Sequence, residues 1–185
     1  MESALLLIDI QNDYFPGGKM EVPGSRQASL MAKKALEHFR SRGLPVIHVQ
    51  HIAARLGATF LVPNTEGVQI HEHVKPLPGE VLVQKHYPNS FRDTRLLDHV
   101  KENGLGKLVI CGMMTHMCVD ASVRAAFDHG CSCVVLSDAC AARGLSHQGV
   151  DVPAEFVHAA FMSALGSVYA RVLDTDDFLA EGRGL

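Results

Sequence analysis

Short apolar runs alternate with longer amphipathic runs along most of the chain. This alternation is typical of βαβ units, in which a buried parallel strand is followed by a helix that covers the sheet. It predicts an α/β protein: a three-layer α/β/α sandwich around a six-stranded, mostly parallel, Rossmann-like sheet. Because the sequence contains no repeat, low-complexity tract or convincing linker, we expect residues 1–185 to form a single domain.

The apolar runs predict strands at residues 4–10, 46–50, 81–85, 107–111, 133–137 and 167–173. The amphipathic runs predict helices at residues 25–42, 94–102, 117–129 and 154–165. A glycine, which commonly ends helices, closes the first three of these helices. Residues 56–78 predict a long irregular loop, and such loops are more often functional than idle. The tail from Thr175 carries no clear pattern.

Composition excludes several classes of function. The hydrophobic fraction of 47% and the charged fraction of 20% are ordinary for a globular protein. The net charge of −3 and the lack of a basic tract argue against a nucleic-acid partner. No stretch approaches the roughly 20 apolar residues of a membrane span, and the short run at residues 4–8 lacks the features of a secretory signal. We therefore expect a cytoplasmic protein that binds neither nucleic acid nor a membrane.

The five cysteines predict reduced thiols, because their number is odd, the chain is not small and no CxxC motif occurs. Cys118 follows the fourth predicted strand and opens a helix, where free N–H groups and the helix dipole favour a thiolate. The other four are expected to pack as small hydrophobic residues: Cys111, Cys131, Cys133 and Cys140.

Two charged residues stand at the ends of other predicted strands. Asp9 follows the apolar run 4–8, where a carboxylate is costly without a partner, and Lys85 ends the strand 81–85. Taken singly, a turn residue, a lysine that reaches solvent and an inert thiol would explain Asp9, Lys85 and Cys118. Because the carboxyl ends of parallel strands share one edge of the sheet, we expect the three to converge in one crevice. Asp9 could then accept the thiol proton, and Lys85 could stabilise the thiolate.

Three segments of the chain resemble the isochorismatase-like superfamily of cysteine hydrolases. They are residues 9–15, Lys85 with residues 89–91, and residues 112–119. The superfamily includes nicotinamidases, carbamoylsarcosine amidase-like enzymes and ureidoacrylate hydrolases. The segments keep the order of the family, and the resemblance covers nearly the whole chain.

The resemblance implies a role for each site residue. Cys118 would be the nucleophile, Asp9 the general base and Lys85 the cation that supports both. A cis peptide bond between Met113 and Met114 would direct an N–H group at the oxyanion, and Tyr14 would line the substrate pocket. The implied reaction is hydrolysis of a C–N bond, in an amide or ureide of a small molecule, through a thioester on Cys118. Because superfamily members are commonly dimers or larger, a homo-oligomer is also expected.

No metal or other cofactor is predicted. Nicotinamidases hold a divalent metal through an Asp and several His residues after the second strand, whereas here Gln50 stands near the position of that Asp. His71 and His73 could bind a metal as an H-x-H pair, although surface histidines of a polar loop are the more typical explanation. Whether a metal binds near His51 stays open at this point.

Three further residues near the strand ends have less defined roles. Asp120 and Asp138 are expected to be structural, and the role of His116 stays open.

Two other functions fit the same pattern. Some relatives hydrolyse the vinyl ether of isochorismate by acid chemistry and lack the cysteine, so the presence of Cys118 favours C–N hydrolysis. A catalytically silent binding protein of the same fold is the second alternative.

Overall fold

The computed structural model describes residues 2–181, and its centre is a six-stranded sheet. The strands of the chain are β1 (Ser3–Ile8), β2 (Val46–His51), β3 (Val81–Lys85), β4 (Lys107–Met113), β5 (Ser132–Ala141), β6 (Leu145–His147), β7 (Val150–Val152) and β8 (Arg171–Leu173). The main sheet has the order β3-β2-β1-β4-β5-β8, and each of its strand pairs is parallel. From β1 the chain adds β2 and β3 on one side and then β4, β5 and β8 on the other. The topological switch point therefore lies between β1 and β4, which is where ligands bind in such folds.

Helices flank this sheet, and the arrangement confirms the predicted three-layer sandwich. They are α1 (Ser25–Ser41), α2 (Leu96–Glu102), α3 (Asp120–Asp128), α4 (Ala154–Val168) and α5 (Thr175–Glu181). The first helix turns a row of small residues and one aromatic towards the core: Ala28, Ala32, Ala35 and Phe39. Their spacing of three or four residues keeps them on one helix face. Within residues 2–181, no helix is long and apolar enough to cross a membrane.

The position of a strand in the sheet decides its sequence pattern. Residues 4–8 of β1 are all buried, because helices cover both faces of this central strand. The edge strand β3 instead alternates, so that Leu82 and Gln84 are exposed while Val83 and Lys85 are buried. Lys85 is therefore turned inward by the register of an edge strand.

The end of the chain differs from the sequence prediction of a strand at residues 167–173. Ser167 and Val168 belong to α4, and β8 begins only at Arg171. The helix ends where the N–H groups of Tyr169 and Ala170 both donate to the Leu165 carbonyl. A continuous run of apolar and small residues does not mark that stop. The tail, which carried no clear pattern, forms α5.

A small hairpin, β6 with β7, was absent from the sequence prediction. Its strands pair antiparallel around Gln148 and Gly149, which both have positive φ (49° and 80°). Two successive residues in this conformation make the tight turn that suits the twist of a hairpin. Asn or Asp is the usual first residue of such a turn, so the signal in the sequence is weak.

Glu80, which directly precedes β3, connects this strand to α1, to β2 and to the preceding loop through hydrogen bonds. Its carboxylate accepts hydrogen bonds from Arg40 Nε (2.6 Å) and Nη2 (2.8 Å) and from the Leu77 N–H (2.8 Å). His48 Nε2, on β2, lies 2.8 Å from the same carboxylate. Burial alone would raise the pKa of Glu80, but the bonds from Arg40, Leu77 and His48 outweigh it and hold the pKa at about 2.

Glu80→Gln removes this charge while keeping the shape of the side chain. Because hydrogen bonds to charged groups are the stronger ones, we expect the free energy of unfolding at about pH 7 to fall by about 2 kcal/mol, measured by urea denaturation. The folded-state pKa lies below the ordinary value of 4.5, so the contribution of Glu80 is complete above that pH and is lost as the pH falls towards 2. An equal difference between wild type and variant across this interval would contradict the assignment.

Candidate active site

Asp9, Lys85 and Cys118 converge at the carboxyl edge of the sheet. Lys85 Nζ lies 2.7 Å from Asp9 Oδ2, and both side chains are completely buried. The Cys118 sulfur lies within 4.8 Å of an Asp9 carboxylate oxygen and of a ring nitrogen of His51. The four residues come from the ends of β1, β2 and β3 and from the segment after β4, so the strand order brings them together.

Asp9 leaves β1 in an unusual backbone conformation. Its φ of 51° lies in the left-handed region, which Asp tolerates better than most residues. Its N–H donates to the Val49 carbonyl (3.0 Å), and the chain turns there so that the carboxylate faces the interior. Within residues 2–181, neither carboxylate oxygen receives an aligned hydrogen bond. The ammonium of Lys85 is therefore the main partner of this buried charge.

Three acceptors surround the Lys85 ammonium in addition to the Asp9 carboxylate. They are His51 Nδ1 (3.1 Å), the Tyr87 carbonyl (3.1 Å) and the Pro88 carbonyl (3.3 Å). Burial alone would lower the pKa of Lys85, but the negative charge of the Asp9 carboxylate outweighs burial and raises it. Lys85 is therefore a permanent cation at neutral pH.

Cys118 rests as a neutral thiol. It lies in a π-helical turn (Thr115–Val119) that leads into α3, and it is 5% exposed. Burial raises its pKa, Asp9 raises it further, and Lys85 lowers it. Burial and Asp9 therefore favour the neutral thiol, in contrast to the thiolate that the helix-start position predicted. A thiol in this state needs a base, and the Asp9 carboxylate is beside it.

The segment between β4 and Cys118 has a constrained backbone. The peptide bond between Met113 and Met114 is cis, as the resemblance implied, and both residues are buried. Gly112 has a φ of 132°, and a Cβ there would lie 2.0 Å from the Ile8 carbonyl oxygen. Only glycine allows β1 and β4 to approach this closely beside Asp9.

Tyr14 lies at the border of the site. It is buried, and its ring faces Phe60 at 6.3 Å between centroids. Burial raises the pKa of its phenol, and the nearby Asp9 and Cys118 raise it further. The hydroxyl is therefore neutral and lies within the electrostatic reach of Asp9 and Cys118, and its place in the substrate pocket stays a prediction.

Residues 3–177 match the family model for the isochorismatase domain. The chain belongs to the isochorismatase family. It is 54% identical to the uncharacterized isochorismatase family protein YddQ of Bacillus subtilis, over 97% of this chain and 99% of that protein. The crystal structure of an isochorismatase from Pseudomonas putida is 31% identical, with a TM-score of 0.90 over 95% of this chain and 89% of that one. A nicotinamidase of Escherichia coli is 28% identical over 94% of this chain and 97% of that protein. As a member of this family, the chain is a hydrolase.

Buried polar side chains of this isochorismatase-family protein hold the long loop of residues 56–78 against the site. Asp13 Oδ1 accepts from the Lys19 N–H (3.1 Å) and Oδ2 from the Leu61 N–H (2.6 Å). Gln11 Nε2 donates to the Val68 carbonyl (2.7 Å). A Cβ on Gly67 would lie 2.2 Å from Asp13 Oδ1, so this close contact requires glycine. The sequence analysis gave Asp13 and Gln11 no individual role, although both lie in segment 9–15.

His51 is the site residue that the sequence analysis missed, beyond its mention as a possible metal neighbour. It ends β2 directly opposite Lys85 in the β2–β3 register, and its Nδ1 lies 4.0 Å from Asp9 Oδ2. It also lines a cavity of about 470 Å³ between residues 53–61 and His86. The signal that could have found it is the rule that pointed to Asp9 and Lys85, because His51 also stands at a strand end.

The other residues considered for a metal site, Gln50, His71 and His73, make contacts away from this group. Gln50 donates to the Val68 carbonyl and accepts from Gln84. His71 stacks on Phe15 at 3.6 Å between ring centroids, and His73 Nδ1 lies 2.8 Å from Ser29 Oγ.

Within the described part of the chain, the one group of three possible metal ligands is Asp9, His51 and Cys118. The Lys85 ammonium already contacts Asp9 and His51 of that group, and its positive charge opposes the binding of a metal cation. The absence of a metal stays a prediction, which metal analysis of the purified protein tests.

The remaining candidates have structural contacts. Asp120 pairs with Arg124 (2.9 Å), and Asp138 Oδ1 accepts from the Thr175 N–H (2.8 Å) and hydroxyl (2.6 Å). The four cysteines assigned to packing are buried and unbridged, as expected. His116 is buried, and its ring faces Phe161 of α4 at 6.0 Å.

Removing one member of the buried ion pair leaves the other charge without a partner. We expect Asp9→Asn and Lys85→Met each to lower the free energy of unfolding by about 3–5 kcal/mol, measured by urea denaturation. The double variant removes both charges, so its loss should be well below the sum of the two.

The exposed pair Lys33–Glu37 (3.8 Å) supplies the matched control, and Lys33→Met should cost less than about 1 kcal/mol. Additive losses for the two buried variants would mean that Asp9 and Lys85 do not stabilise each other.

Proposed function

We propose that this hydrolase cleaves a C–N bond, in an amide or ureide of a small molecule, through a thioester on Cys118. The observation that carries the proposal is the buried Lys85–Asp9 ion pair, 2.7 Å long, beside a neutral thiol. Such a trio supplies a nucleophile, a proton acceptor and a fixed positive charge within one water-poor crevice. The relative that is a nicotinamidase supports an amide as the substrate class.

In the first half of the reaction, the Cys118 sulfur attacks the substrate carbonyl carbon while its proton passes to the Asp9 carboxylate. Lys85 keeps its proton, and its charge offsets the negative charge that develops on sulfur and on the carbonyl oxygen. The raised pKa of Cys118 makes this proton transfer necessary, because almost no free thiolate exists at rest. We assign the oxyanion site to the backbone N–H groups of Met114 and Cys118.

In the second half, protonated Asp9 gives its proton to the leaving nitrogen as the C–N bond breaks, which leaves a thioester on Cys118. A water molecule then attacks the thioester carbonyl, and Asp9 accepts one of its protons. The C–S bond breaks, the sulfur regains the proton, and the carboxylic acid leaves. Asp9 thus acts as base and acid in turn, which requires a carboxylate in a site of low polarity.

The substrate is expected to be small. Cys118 is only 5% exposed, and the neighbouring cavity of about 470 Å³ is bordered by His51, residues 53–61 and His86. Tyr14 and the loop of residues 56–78 are proposed to select the substrate, because both adjoin the crevice and neither belongs to the catalytic group.

Cys118→Ala tests the nucleophile directly. With a substrate found by screening small amides and ureides for released ammonia, we expect turnover to fall by roughly a thousandfold or more, with unchanged circular dichroism. Cys111→Ala, which removes a buried thiol of the same strand–loop segment, is the control and should keep its turnover. Residual activity near wild type in Cys118→Ala would rule out the thioester route.

The family model also supports a second candidate, the hydrolysis of the vinyl ether of isochorismate. This acid-driven reaction needs no thiol, so the same variant separates the two. Isochorismate turnover that survives in Cys118→Ala would favour the second candidate.

We also propose that the chain forms a homo-oligomer and acts in the cytoplasm, as a single domain without nucleic-acid or membrane partners. Large apolar side chains on β7 and α4 support self-association, since Val150, Phe156 and Val168 are each more than 60% exposed. Sedimentation velocity should give a dimer or larger species, and Phe156→Glu should shift it towards the monomer. A wild-type monomer at all concentrations would contradict this proposal.

A further inference from the structure

His51 is the one member of the central cluster whose side chain has appreciable access to solvent. Its side chain is 17% exposed, whereas those of Asp9 and Lys85 are fully buried and Cys118 is 5% exposed. It faces Asp9 from β1, Lys85 from β3, His86 just after β3, and Cys118 from the turn before α3. The mechanism proposed above gives His51 no task.

We propose that His51 is a positioning residue that holds the Lys85 ammonium between Asp9 and Cys118 by accepting a hydrogen bond at Nδ1. The inference rests on the proposed thiol chemistry and adds a residue to it. His51 is not assigned as a nucleophile, a base or a metal ligand.

The hydrogen bonds of Lys85 carry the argument. Two of its three acceptors are carbonyls of Tyr87 and Pro88, which follow Lys85 in its own chain segment and lie 3.1 and 3.3 Å away. His51 Nδ1, at 3.1 Å, is the only acceptor among the three that comes from another strand. It adds a contact from the end of β2 to the 2.7 Å ion pair with Asp9, so the ammonium is held from the ends of β1 and β2 as well as by its own loop.

The contact also defines the protonation state of His51. An ammonium group only donates hydrogen bonds, so Nδ1 must be unprotonated and the ring hydrogen must sit on Nε2. Burial and the nearby Lys85 lower the pKa of His51, which agrees with a neutral ring. Protonation would replace the acceptor by a donor and place a second cation beside Lys85.

The backbone of His51 is fixed independently of its side chain. The His51 N–H donates to Gln11 Oε1 (2.8 Å), and Gln11 Nε2 donates to the His51 carbonyl (2.9 Å). The residue also pairs with Lys85 in the β2–β3 ladder. Replacing the imidazole should therefore leave the strand end in place and report on the side chain alone.

The test compares His51→Asn with His51→Leu by the rate at which iodoacetamide alkylates Cys118, followed by peptide mass spectrometry. Leu removes the acceptor, and we expect the rate at about pH 8 to fall roughly 10- to 100-fold, the range of a hydrogen bond to a charged group. The Asn amide oxygen reaches the position of Nδ1 and should restore the rate to within about threefold of wild type. His99→Leu, on α2, controls for loss of a histidine in general.

The pH dependence provides a second readout that a purely structural role would not affect. The ratio of the wild-type rate to the His51→Asn rate should be constant at and above pH 6.5, the ordinary pKa of histidine, and should fall at lower pH, as the pH drops through the lowered pKa of His51. The sign follows because only the wild type loses its acceptor on protonation. This measurement compares only the wild type with His51→Asn, which both carry an acceptor, so it stands even if His51→Leu fails to fold.

The outcomes separate the inference from the proposed function. If wild-type Cys118 reacts no faster than the buried Cys111, the thiol chemistry itself is wrong. If wild-type Cys118 reacts fast, but folded His51→Leu reacts as fast as His51→Asn, only the role of His51 is wrong. A rate ratio that stays constant through the acid range would also overturn it.

Discussion

The site depends on one buried ion pair. Asp9 and Lys85 are both removed from water, and neither charge would be tolerated there without the other. Their mutual attraction is what allows a carboxylate without aligned hydrogen bonds to remain buried at the carboxyl edge of the sheet. Since the acid follows β1 and the ammonium ends β3, the pair also requires that β2 lie between them with its register intact.

The ion pair has a direct effect on the neighbouring sulfur. Asp9 disfavours a thiolate at Cys118 and Lys85 favours one, so the two effects oppose each other and burial decides the resting state. The resting thiol is therefore neutral. Such an arrangement limits side reactions of the sulfur with oxidants, because susceptibility to oxidation follows thiolate character and exposure, and Cys118 is buried.

The sequence was sufficient for the sheet and for the three central residues, because both follow from strand-end positions. The run Val81–Lys85 matched its strand residue for residue. The boundary between α4 and β8 was not predictable, because small and apolar residues suit both elements. The protonation state of Cys118 and the contact of His51 were also out of reach. They depend on burial and on the β2–β3 register, which local patterns do not contain.

The long loop after β2 is attached to the domain at defined points. The Ala53 N–H donates to the Leu61 carbonyl, Leu61 is bonded to Asp13, and Val68 is bonded to Gln11 and Gln50. Residues 54–60 lie between these anchors, and Leu56 at their tip is almost wholly exposed. This segment can therefore change in sequence without altering the anchors or the reacting groups. Under the proposed function, substrate choice could then change through residues 54–60 while the groups that cleave the bond keep their places.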